Sequence, residues 1–274
     1  MKAMILAAGL GTRLRPLTDN RPKALVELSG RTLLEITLSR LRAFGVTDVI
    51  VNVHHFADMI IDFLRSNKNF GMRIEVSREE VLLDTGGGLK KAAWFFLGDS
   101  SRLDEPFLLH NVDVISTIDL RRLLQFHTEN HALATLAVQS RETSRYLLFN
   151  DHHQLCGRRI GRDHAPDLVG RDLIDTLPEA TASAVPKNDK NPRALAPEVP
   201  LQAFAFSGIQ VISRGLLPML TEEGIFSIIP SYLRLAAHGE KILSFRADNY
   251  YWRDLGRPAD LAEAALDLRQ KAFL

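Results

Sequence analysis

A short glycine loop near the start of the chain carries the first residues that could do chemistry. Gly9 and Gly11 follow an apolar stretch, and Arg13, Arg15 and Lys23 lie in the loop or just after it. Glycine lets backbone N–H groups approach an anion closely, and cations beside such a loop favour a polyphosphate ligand. The alternative interpretation is a tight turn whose basic side chains are solvated.

Two better-known phosphate loops do not fit this sequence. A Walker loop ends in Gly-Lys followed by Ser or Thr, which occurs nowhere in the chain. A dinucleotide-binding loop needs a third glycine or an alanine where this chain has Leu14. A nicotinamide-dependent oxidoreductase, which would share an α/β architecture, is therefore disfavoured.

Asp113 is a candidate metal ligand. It follows an apolar run, at the expected carboxyl end of a strand, where α/β folds bind ligands. Mg²⁺ takes one or two carboxylates together with phosphate oxygens. Alternatively, Asp113 is a turn residue. Taken by itself, Asp254 near the end of the chain is expected to pair at the surface with Arg253 or Arg257.

Two further glycine segments could line a ligand site. The run Asp-Thr-Gly-Gly-Gly at 84–88 opens a predicted helix at 88–97, and bare backbone at a helix start can accept a base or a phosphate. The other interpretation is that Asp84 or Thr85 caps this helix. Gly208, within Phe-Ser-Gly-Ile, indicates either a pocket wall or a glycine bulge in a strand.

The glycine loop belongs to a longer ordered pattern, Gly9-x-Gly-Thr-Arg-x-x-Pro-Leu-Thr followed by Arg21-Pro-Lys-Ala-Leu. This pattern resembles the signature of the sugar-phosphate nucleotidyltransferases, and the resemblance covers the chain apart from 166–200. It implies a reaction in which an NTP and a sugar 1-phosphate give an NDP-sugar and pyrophosphate. The 84–88 segment is most similar to N-acetylmuramate 1-phosphate uridylyltransferases, then to mannose 1-phosphate guanylyltransferases. Uridylyl transfer to an amino-sugar 1-phosphate is therefore expected.

The resemblance also assigns roles to individual residues. It implies that Arg13, Lys23 and Asp113 are catalytic, with the two cations neutralising charge on the reacting phosphates. It implies that Asp113 and Asp254 together bind the cofactor Mg²⁺. The remaining implied contacts are Ala7, Ala8, Gly9, Gly11, Thr12, Arg13, Lys23, Thr85, Gly86 and Asn111 for the nucleotide, and Ser207 and Gly208 for the sugar.

The chain departs from the family pattern at several positions. Val112 and Arg257 stand where the family has glycine and threonine. The family's Glu-Lys-Pro, whose lysine binds the sugar phosphate, is missing. Arg158, Arg159 and Arg162 are candidate substitutes, or else the solvated face of a hairpin. These departures leave a non-catalytic, nucleotide-binding regulatory homologue as the alternative function.

Apolar runs alternate with amphipathic stretches, which is typical of a Rossmann-like, doubly wound α/β sheet with right-handed crossovers. The resemblance agrees, because it implies the mixed sheet of the nucleotide-diphospho-sugar transferases. Strands are predicted at 3–8, 49–53, 73–77, 107–110, 132–138, 202–212 and 241–246, with a hairpin at 145–161. Helices are predicted after an N-cap at Thr32, around 60–64, at 88–97, around 120–127 and at 258–271.

Composition limits the classes of partner. The 274 residues have a formal net charge of +1, which gives no reason to expect nucleic-acid binding. No apolar run approaches the length of a membrane span, and the single Cys156 suits a cytoplasmic location. We expect a single domain over 1–274, with a flexible insertion at 166–200. A homo-oligomer is compatible with the sequence.

Overall fold

The computed structural model describes residues 1–98, 103, 105–161, 166–169 and 200–270. The strands are β1 Lys2–Leu6, β2 Glu27–Leu28, β3 Arg31–Thr32, β4 Asp48–Val53, β5 Arg73–Arg78, β6 Pro106–Asn111, β7 Val114–Ser116, β8 Ala134–Gln139, β9 Arg145–Phe149, β10 Leu155–Ile160, β11 Asp167–Leu168, β12 Gln202–Ser213, β13 Ile242–Arg246 and β14 Trp252–Asp254. The helices are α1 Leu33–Ala43, α2 Ala57–Ser66, α3 Asp84–Lys91, α4 Ala93–Leu97, α5 Leu120–Glu129, α6 Ile228–Ala237 and α7 Pro258–Arg269.

A mixed ten-stranded sheet forms the centre of the described part of the molecule. Eight of its strands follow the order β11-β10-β9-β12-β6-β1-β4-β5, and the other two, β8 and β13, branch from β12. The strands β6, β1, β4 and β5 are parallel neighbours. The long strand β12 runs antiparallel to β6, β8 and β9, and β8 pairs in parallel with β13. The parallel part places the carboxyl ends of β1, β4 and β6 side by side, where α/β folds bind ligands.

Helices cover both faces of the parallel strands. Successive residues of a strand point to opposite faces, so Ala3 and Ile5 of β1 belong to one apolar cluster and Met4 to the other. The first cluster includes residues of α1, α2, α5 and α7, and the second includes residues of α3, α4 and α6. This arrangement confirms the doubly wound α/β fold.

The predicted N-cap of α1 at Thr32 is confirmed. The Thr32 hydroxyl accepts a 3.1 Å hydrogen bond from the backbone N–H of Glu35. The Glu35 carboxylate accepts a hydrogen bond from Arg31 Nε at 2.8 Å.

The glycine-rich helix begins earlier than predicted. Instead of one helix at 88–97, the chain forms α3 from Asp84 and a separate α4 from Ala93. The predicted cap at Asp84 or Thr85 is wrong, because Leu83 occupies the N-cap position and makes no side-chain capping bond. Thr85 Oγ1 instead accepts the N–H of Ile228, 3.0 Å away at the start of α6.

Most of the predicted insertion at 166–200 lies outside the described residues. Its first part is ordered into a strand, since Asp167–Leu168 forms β11 beside β10. The hairpin predicted at 145–161 is confirmed by the antiparallel pairing of β9 and β10. Within the described ranges, no helix has both the length and the apolar character needed to cross a membrane.

Candidate active site

The glycine loop after β1 is held by a few short-range contacts. Gly11 has a φ of 66°, in the left-handed region that favours glycine. Its carbonyl accepts a 2.9 Å hydrogen bond from Thr18 Oγ1, which closes the loop. Leu14 is fully buried in the core, so the residue that breaks the dinucleotide pattern anchors this loop instead. The adjacent Arg13 remains exposed at the surface of the site.

The buried Lys23 forms an ion pair with the half-buried Asp113 at the centre of the site. Lys23 lies in the short helical turn Lys23–Leu25 and is 8% exposed. Asp113 lies between β6 and β7, directly after the parallel strand that ends at Asn111. A lysine taken out of water needs a partner, and here the partner is a carboxylate predicted to bind metal.

The second aspartate lies beside the first because β14 pairs antiparallel with β7. In this pairing Asp254 is opposite Val114, and the N–H of Leu255 donates to the Asp113 carbonyl at 2.8 Å. Burial and then the negative charge of Asp113 raise the pKa of Asp254, while the charges of Lys23 and Arg13 partly offset this rise.

Arg13 lies close to Asp254 across Gly256. A Cβ atom built on Gly256 would lie 2.9 Å from Arg13 Nη2 and 3.1 Å from Asp254 Oδ1. Only a residue without a side chain leaves this approach open, so any larger residue at 256 would move one of the two charged groups. The structure therefore brings together all four charged residues of the sequence hypothesis: Arg13, Lys23, Asp113 and Asp254.

The donor set fits a hard divalent cation with few protein ligands. The Oδ1 atom of Asp254 is buried and has no hydrogen-bond partner among the described residues. No group of three or more His, Cys, Asp or Glu side chains in the described part of the chain could hold a metal ion. Two carboxylates with the remaining positions left to phosphate and water match the preference of Mg²⁺.

Two cavities meet at this charged centre. The smaller cavity, of about 350 Å³, is bordered by the glycine loop and the start of α3. The larger one, of about 1400 Å³, opens toward β9, β10 and β14. Asn111 and Asp113 line both cavities, so two ligands could meet there.

Most of the predicted nucleotide contacts border the smaller cavity. Those that line it are Ala7, Ala8, Gly9, Lys23, Thr85 and Asn111. Arg13 instead lines the larger cavity, and Gly11 and Thr12 line neither. Gly86 is buried behind the wall, where its N–H donates to the Phe226 carbonyl at 2.9 Å.

The predicted sugar contacts line the larger cavity. Gly208 has a φ of 71° at a register shift between β12 and β8, so the bulge interpretation is confirmed. A Cβ atom on Gly208 would lie 2.9 Å from Asn111 Nδ2, so glycine is needed for this close approach. Ser207 is fully buried, and its carbonyl accepts a 2.7 Å hydrogen bond from Trp252 Nε1.

Val112, the departure from the family's glycine, is accommodated without unusual backbone. Its φ lies outside the left-handed region, and its N–H donates to the Leu6 carbonyl at 3.1 Å. The side chain is buried in the core at 4% exposure. The valine therefore packs into the core and also borders the smaller cavity, between Asn111 and Asp113.

Sequence reasoning missed a buried polar pair beneath the glycine loop. Asn52 Oδ1 accepts the N–H of Ala7 at 2.7 Å, and its Nδ2 donates to Glu79 Oε1 at 2.7 Å. Glu79 is 2% exposed and accepts the N–H of Leu83 at 2.9 Å. A lone asparagine in the apolar strand Asp-Val-Ile-Val-Asn-Val was the signal that could have found this pair.

The candidate substitutes for the missing lysine have different surroundings. Arg158 Nε donates to Asp167 at 2.8 Å, so this side chain already has a carboxylate partner. Arg159 lines the larger cavity, with its guanidinium 5.0 Å from the centre of the Tyr146 ring. Arg162 lies outside the described residues.

Residues 2–148 match the family model described as nucleotidyl transferase. The chain belongs to this family. It is 48% identical, over 116 residues, to the N-acetylmuramate alpha-1-phosphate uridylyltransferase of Caulobacter vibrioides, a match that covers 41% of this chain and 46% of that protein. It is 37% identical, over 262 residues, to a mannose-1-phosphate guanyltransferase of Yarrowia lipolytica, which covers 95% of this chain and 62% of that protein.

The chain thus spans less than two thirds of the length of these two relatives. Among solved structures, a putative glucose-1-phosphate thymidylyltransferase from Bacillus anthracis superposes with a TM-score of 0.72 at 16% identity. That superposition covers 100% of this chain and 97% of the other. It confirms the predicted fold, the α/β fold of the nucleotide-diphospho-sugar transferases.

Proposed function

We propose that this protein transfers a nucleotidyl group from an NTP to a sugar 1-phosphate, giving an NDP-sugar and pyrophosphate. The observation that carries the proposal is the junction of two cavities at Asp113, with Lys23, Asp254 and Arg13 around it. The smaller cavity would take the nucleotide and the larger one the sugar. The names of the two relatives support the same reaction type.

The site can promote this reaction by placing and neutralising two anions. An oxygen of the sugar 1-phosphate attacks the α-phosphorus of the NTP, and the bond from that phosphorus to the pyrophosphate oxygen breaks. The attacking phosphate is ionised at neutral pH, so no general base is needed. The obstacle is repulsion between anions, which fixed cations and oriented N–H groups reduce.

Each charged residue has a proposed role in this step. Lys23, buried against Asp113, would turn its ammonium group to the α-phosphate. Arg13, exposed at the rim of the larger cavity, would hold the departing pyrophosphate. The N–H groups of the loop that begins at Ala7 would orient the remaining phosphate oxygens.

We further propose that Asp113 and Asp254 hold Mg²⁺. The partnerless Oδ1 of Asp254 and the juxtaposition of two carboxylates support this assignment. When bound, the ion would neutralise charge on the phosphates. With the ion in place, the ion pair of Lys23 with Asp113 would loosen and free the ammonium group for the nucleotide.

Uridylyl transfer to an amino-sugar 1-phosphate is the proposed specific reaction. Its support is the 48% identity to the Caulobacter vibrioides N-acetylmuramate alpha-1-phosphate uridylyltransferase. We place the reaction in the cytoplasm, for which the absence of a second cysteine is the support. A homo-oligomer and a lack of nucleic-acid binding stay predictions.

Pyrophosphate release tests the proposed function. Purified protein is incubated with MgCl₂, each of the common NTPs and a panel of sugar 1-phosphates. We expect release with UTP and an amino-sugar 1-phosphate. Asp113→Asn should reduce kcat by about 100-fold or more, the size typical of losing one electrostatic contact in a transition state.

The matched control for this variant is Asp62→Asn. Asp62 lies on α2, is 74% exposed, and should leave kcat unchanged. Failure of the folded wild-type protein to release pyrophosphate with any pair of substrates would contradict the proposal. Equal loss of activity in the two variants would contradict the role given to Asp113.

A further inference from the structure

Arg141, which follows β8, lies against the wall of the larger cavity with part of its hydrogen-bonding capacity unused. Its guanidinium carbon is 3.8 Å from the centre of the Trp252 ring, and its Nη2 donates to the Phe206 carbonyl at 2.8 Å. Its Nε is buried, with no hydrogen-bond partner in the described ranges. Within the same ranges, Arg141 forms no ion pair with a carboxylate.

This lack of a counter-ion sets Arg141 apart from several other arginines of low exposure. Arg214 pairs with Glu105 at 2.9 Å, and Arg234 pairs with Glu222 at 3.0 Å. A guanidinium keeps its charge when it is taken out of water, so burying one without an anion costs free energy. Burial lowers the pKa of Arg141, and the charge of Asp254 partly opposes this effect. An anionic ligand would remove the cost.

Trp252 holds the guanidinium next to the reacting centre. Its ring stacks on Arg141, and its Nε1 donates to the Ser207 carbonyl at 2.7 Å, which fixes the ring. Trp252 also lies on β14, the strand that ends at Asp254. A stacked guanidinium has its plane fixed but its N–H edge free for an anion. The cation is therefore positioned before any ligand binds.

The larger cavity, which Arg141 lines, is the proposed entrance for the second anionic substrate, the sugar 1-phosphate. On the proposed function, on which this inference rests, the nucleotide occupies the smaller cavity with Lys23, and the sugar 1-phosphate enters through the larger one. We propose that Arg141 binds the 1-phosphate group of the sugar substrate. It would do so in place of the lysine that the family carries in its Glu-Lys-Pro motif, which this sequence lacks.

Arg159 is the nearest competitor for this role. It also lines the larger cavity and has a buried Nε without a partner among the described residues. Its aromatic neighbour, Tyr146, lies on β9, whereas the neighbour of Arg141 lies on the same strand as Asp254. Arg141 is therefore the guanidinium held by the strand that carries Asp254, and its positive charge interacts with the negative charge of Asp254, whereas Arg159 is held by β9.

Steady-state kinetics of Arg141→Met tests the assignment. Methionine keeps an apolar side chain on Trp252 and removes the charge. We expect KM for the sugar 1-phosphate to rise about 10- to 100-fold, as for losing a hydrogen bond to a charged group, while KM for the NTP stays within about twofold. Arg141→Lys should raise this KM less than Arg141→Met does, because lysine keeps the positive charge but lacks the planar set of N–H donors of arginine.

The reverse reaction gives a second readout of the same contact. The sugar phosphate becomes the β-phosphate of the NDP-sugar, so Arg141→Met should raise KM for the NDP-sugar and leave KM for pyrophosphate unchanged.

Arg246→Met is the matched control. Arg246 also stacks on an aromatic ring, 4.2 Å from the centre of Phe204, but it pairs with Asp248 at 2.7 Å and does not line the cavity. All its KM values should equal those of the wild type.

The outcomes separate this inference from the proposed function. If the wild type is inactive with every substrate pair, the proposed function fails. If the wild type is active and Arg141→Met leaves KM for the sugar 1-phosphate unchanged, or raises both KM values equally, the assignment of Arg141 is overturned. The assignment is also overturned if Arg159→Met raises KM for the sugar 1-phosphate more than Arg141→Met does. Should Arg141→Met fail to fold, Arg141→Lys is the test. A rise in KM for the sugar 1-phosphate alone supports the assignment, and an unchanged KM or an equal rise in both KM values overturns it.

Discussion

At the residue scale, the ionised form of Asp254 that metal binding requires lowers the stability of the metal-free protein. Asp254 is half-buried, lies beside the negative charge of Asp113, and has one buried carboxylate oxygen without a partner in the described residues. Each of these features disfavours the ionised form, and the pKa of Asp254 is raised as a result. Metal binding requires the ionised form. The site therefore keeps a carboxylate that is unfavourable for the metal-free protein.

This conflict predicts a pH-dependent effect of Asp254→Asn on stability. A folded-state pKa above the unfolded value means that Asp254 stabilises the fold at low pH, and that this contribution is lost as the pH rises through the folded pKa. Asparagine stays neutral at every pH. In metal-free buffer the variant should therefore melt at a higher temperature than the wild type near neutral pH, and the difference should shrink toward about pH 4, near the ordinary aspartate pKa.

Scanning calorimetry across this pH range checks the prediction. Asp62→Asn, on the surface of α2, should show no comparable trend. Addition of MgCl₂ should favour the wild type and reverse the order of the two melting temperatures near neutral pH. A melting-temperature difference that stays constant with pH would contradict the raised pKa.

At the scale of elements, the glycines of α3 set how closely this helix packs beside the nucleotide cavity. A Cβ atom on Gly87 would lie 2.5 Å from the Gly224 carbonyl oxygen, and one on Gly88 would lie 2.8 Å from Asn52 Nδ2. Both neighbours are held in place, the first as backbone and the second by its bond to Glu79. The glycines are therefore required for close packing inside the helix.

Gly87→Ala should destabilise the protein in spite of alanine's higher helix propensity. The propensity gain is about 1 kcal/mol, whereas overpacking against a fixed backbone atom costs about 1–3 kcal/mol. We expect a net loss of up to about 2 kcal/mol in the free energy of unfolding, measured by urea titration. Gly215→Ala is the control, because its Cβ atom would lie 3.4 Å from the nearest atom, an ordinary contact. Equal effects of the two substitutions would contradict the packing argument.

The elements also show what the sequence could and could not predict. The parallel strands were predictable because buried strands such as β4 are apolar runs bounded by helix signals. The start of α3 was predicted at Gly88 instead of Asp84, because three consecutive glycines have low helix propensity and their packing partners, Phe226 and Gly224, lie far along the chain. The pairing of β12 with three other strands depends on similarly distant contacts, which local patterns do not encode.

At the scale of the whole molecule, the site exists because distant segments converge at one edge of the sheet. The glycine loop follows β1, Asp113 follows β6, and the pairing of β14 with β7 delivers Asp254. The family pattern identified the four charged residues in advance. It did not identify Arg141 or Glu79, because the contacts of these residues form only in the folded chain. Arg141 stacks on the Trp252 ring of β14, and Glu79 accepts a hydrogen bond from Asn52 near the end of β4.

The central claim is that a sugar phosphate oxygen attacks the α-phosphorus of a nucleotide bound in the neighbouring cavity. The most direct test supplies a sugar 1-phosphate whose terminal phosphate oxygens are all ¹⁸O and analyses the products by mass spectrometry. If the sugar phosphate is the nucleophile, the NDP-sugar retains every labelled oxygen, one of them now bridging the two phosphates, and the pyrophosphate is unlabelled. Labelled pyrophosphate, or nucleotide hydrolysis without any labelled NDP-sugar, would contradict this reaction.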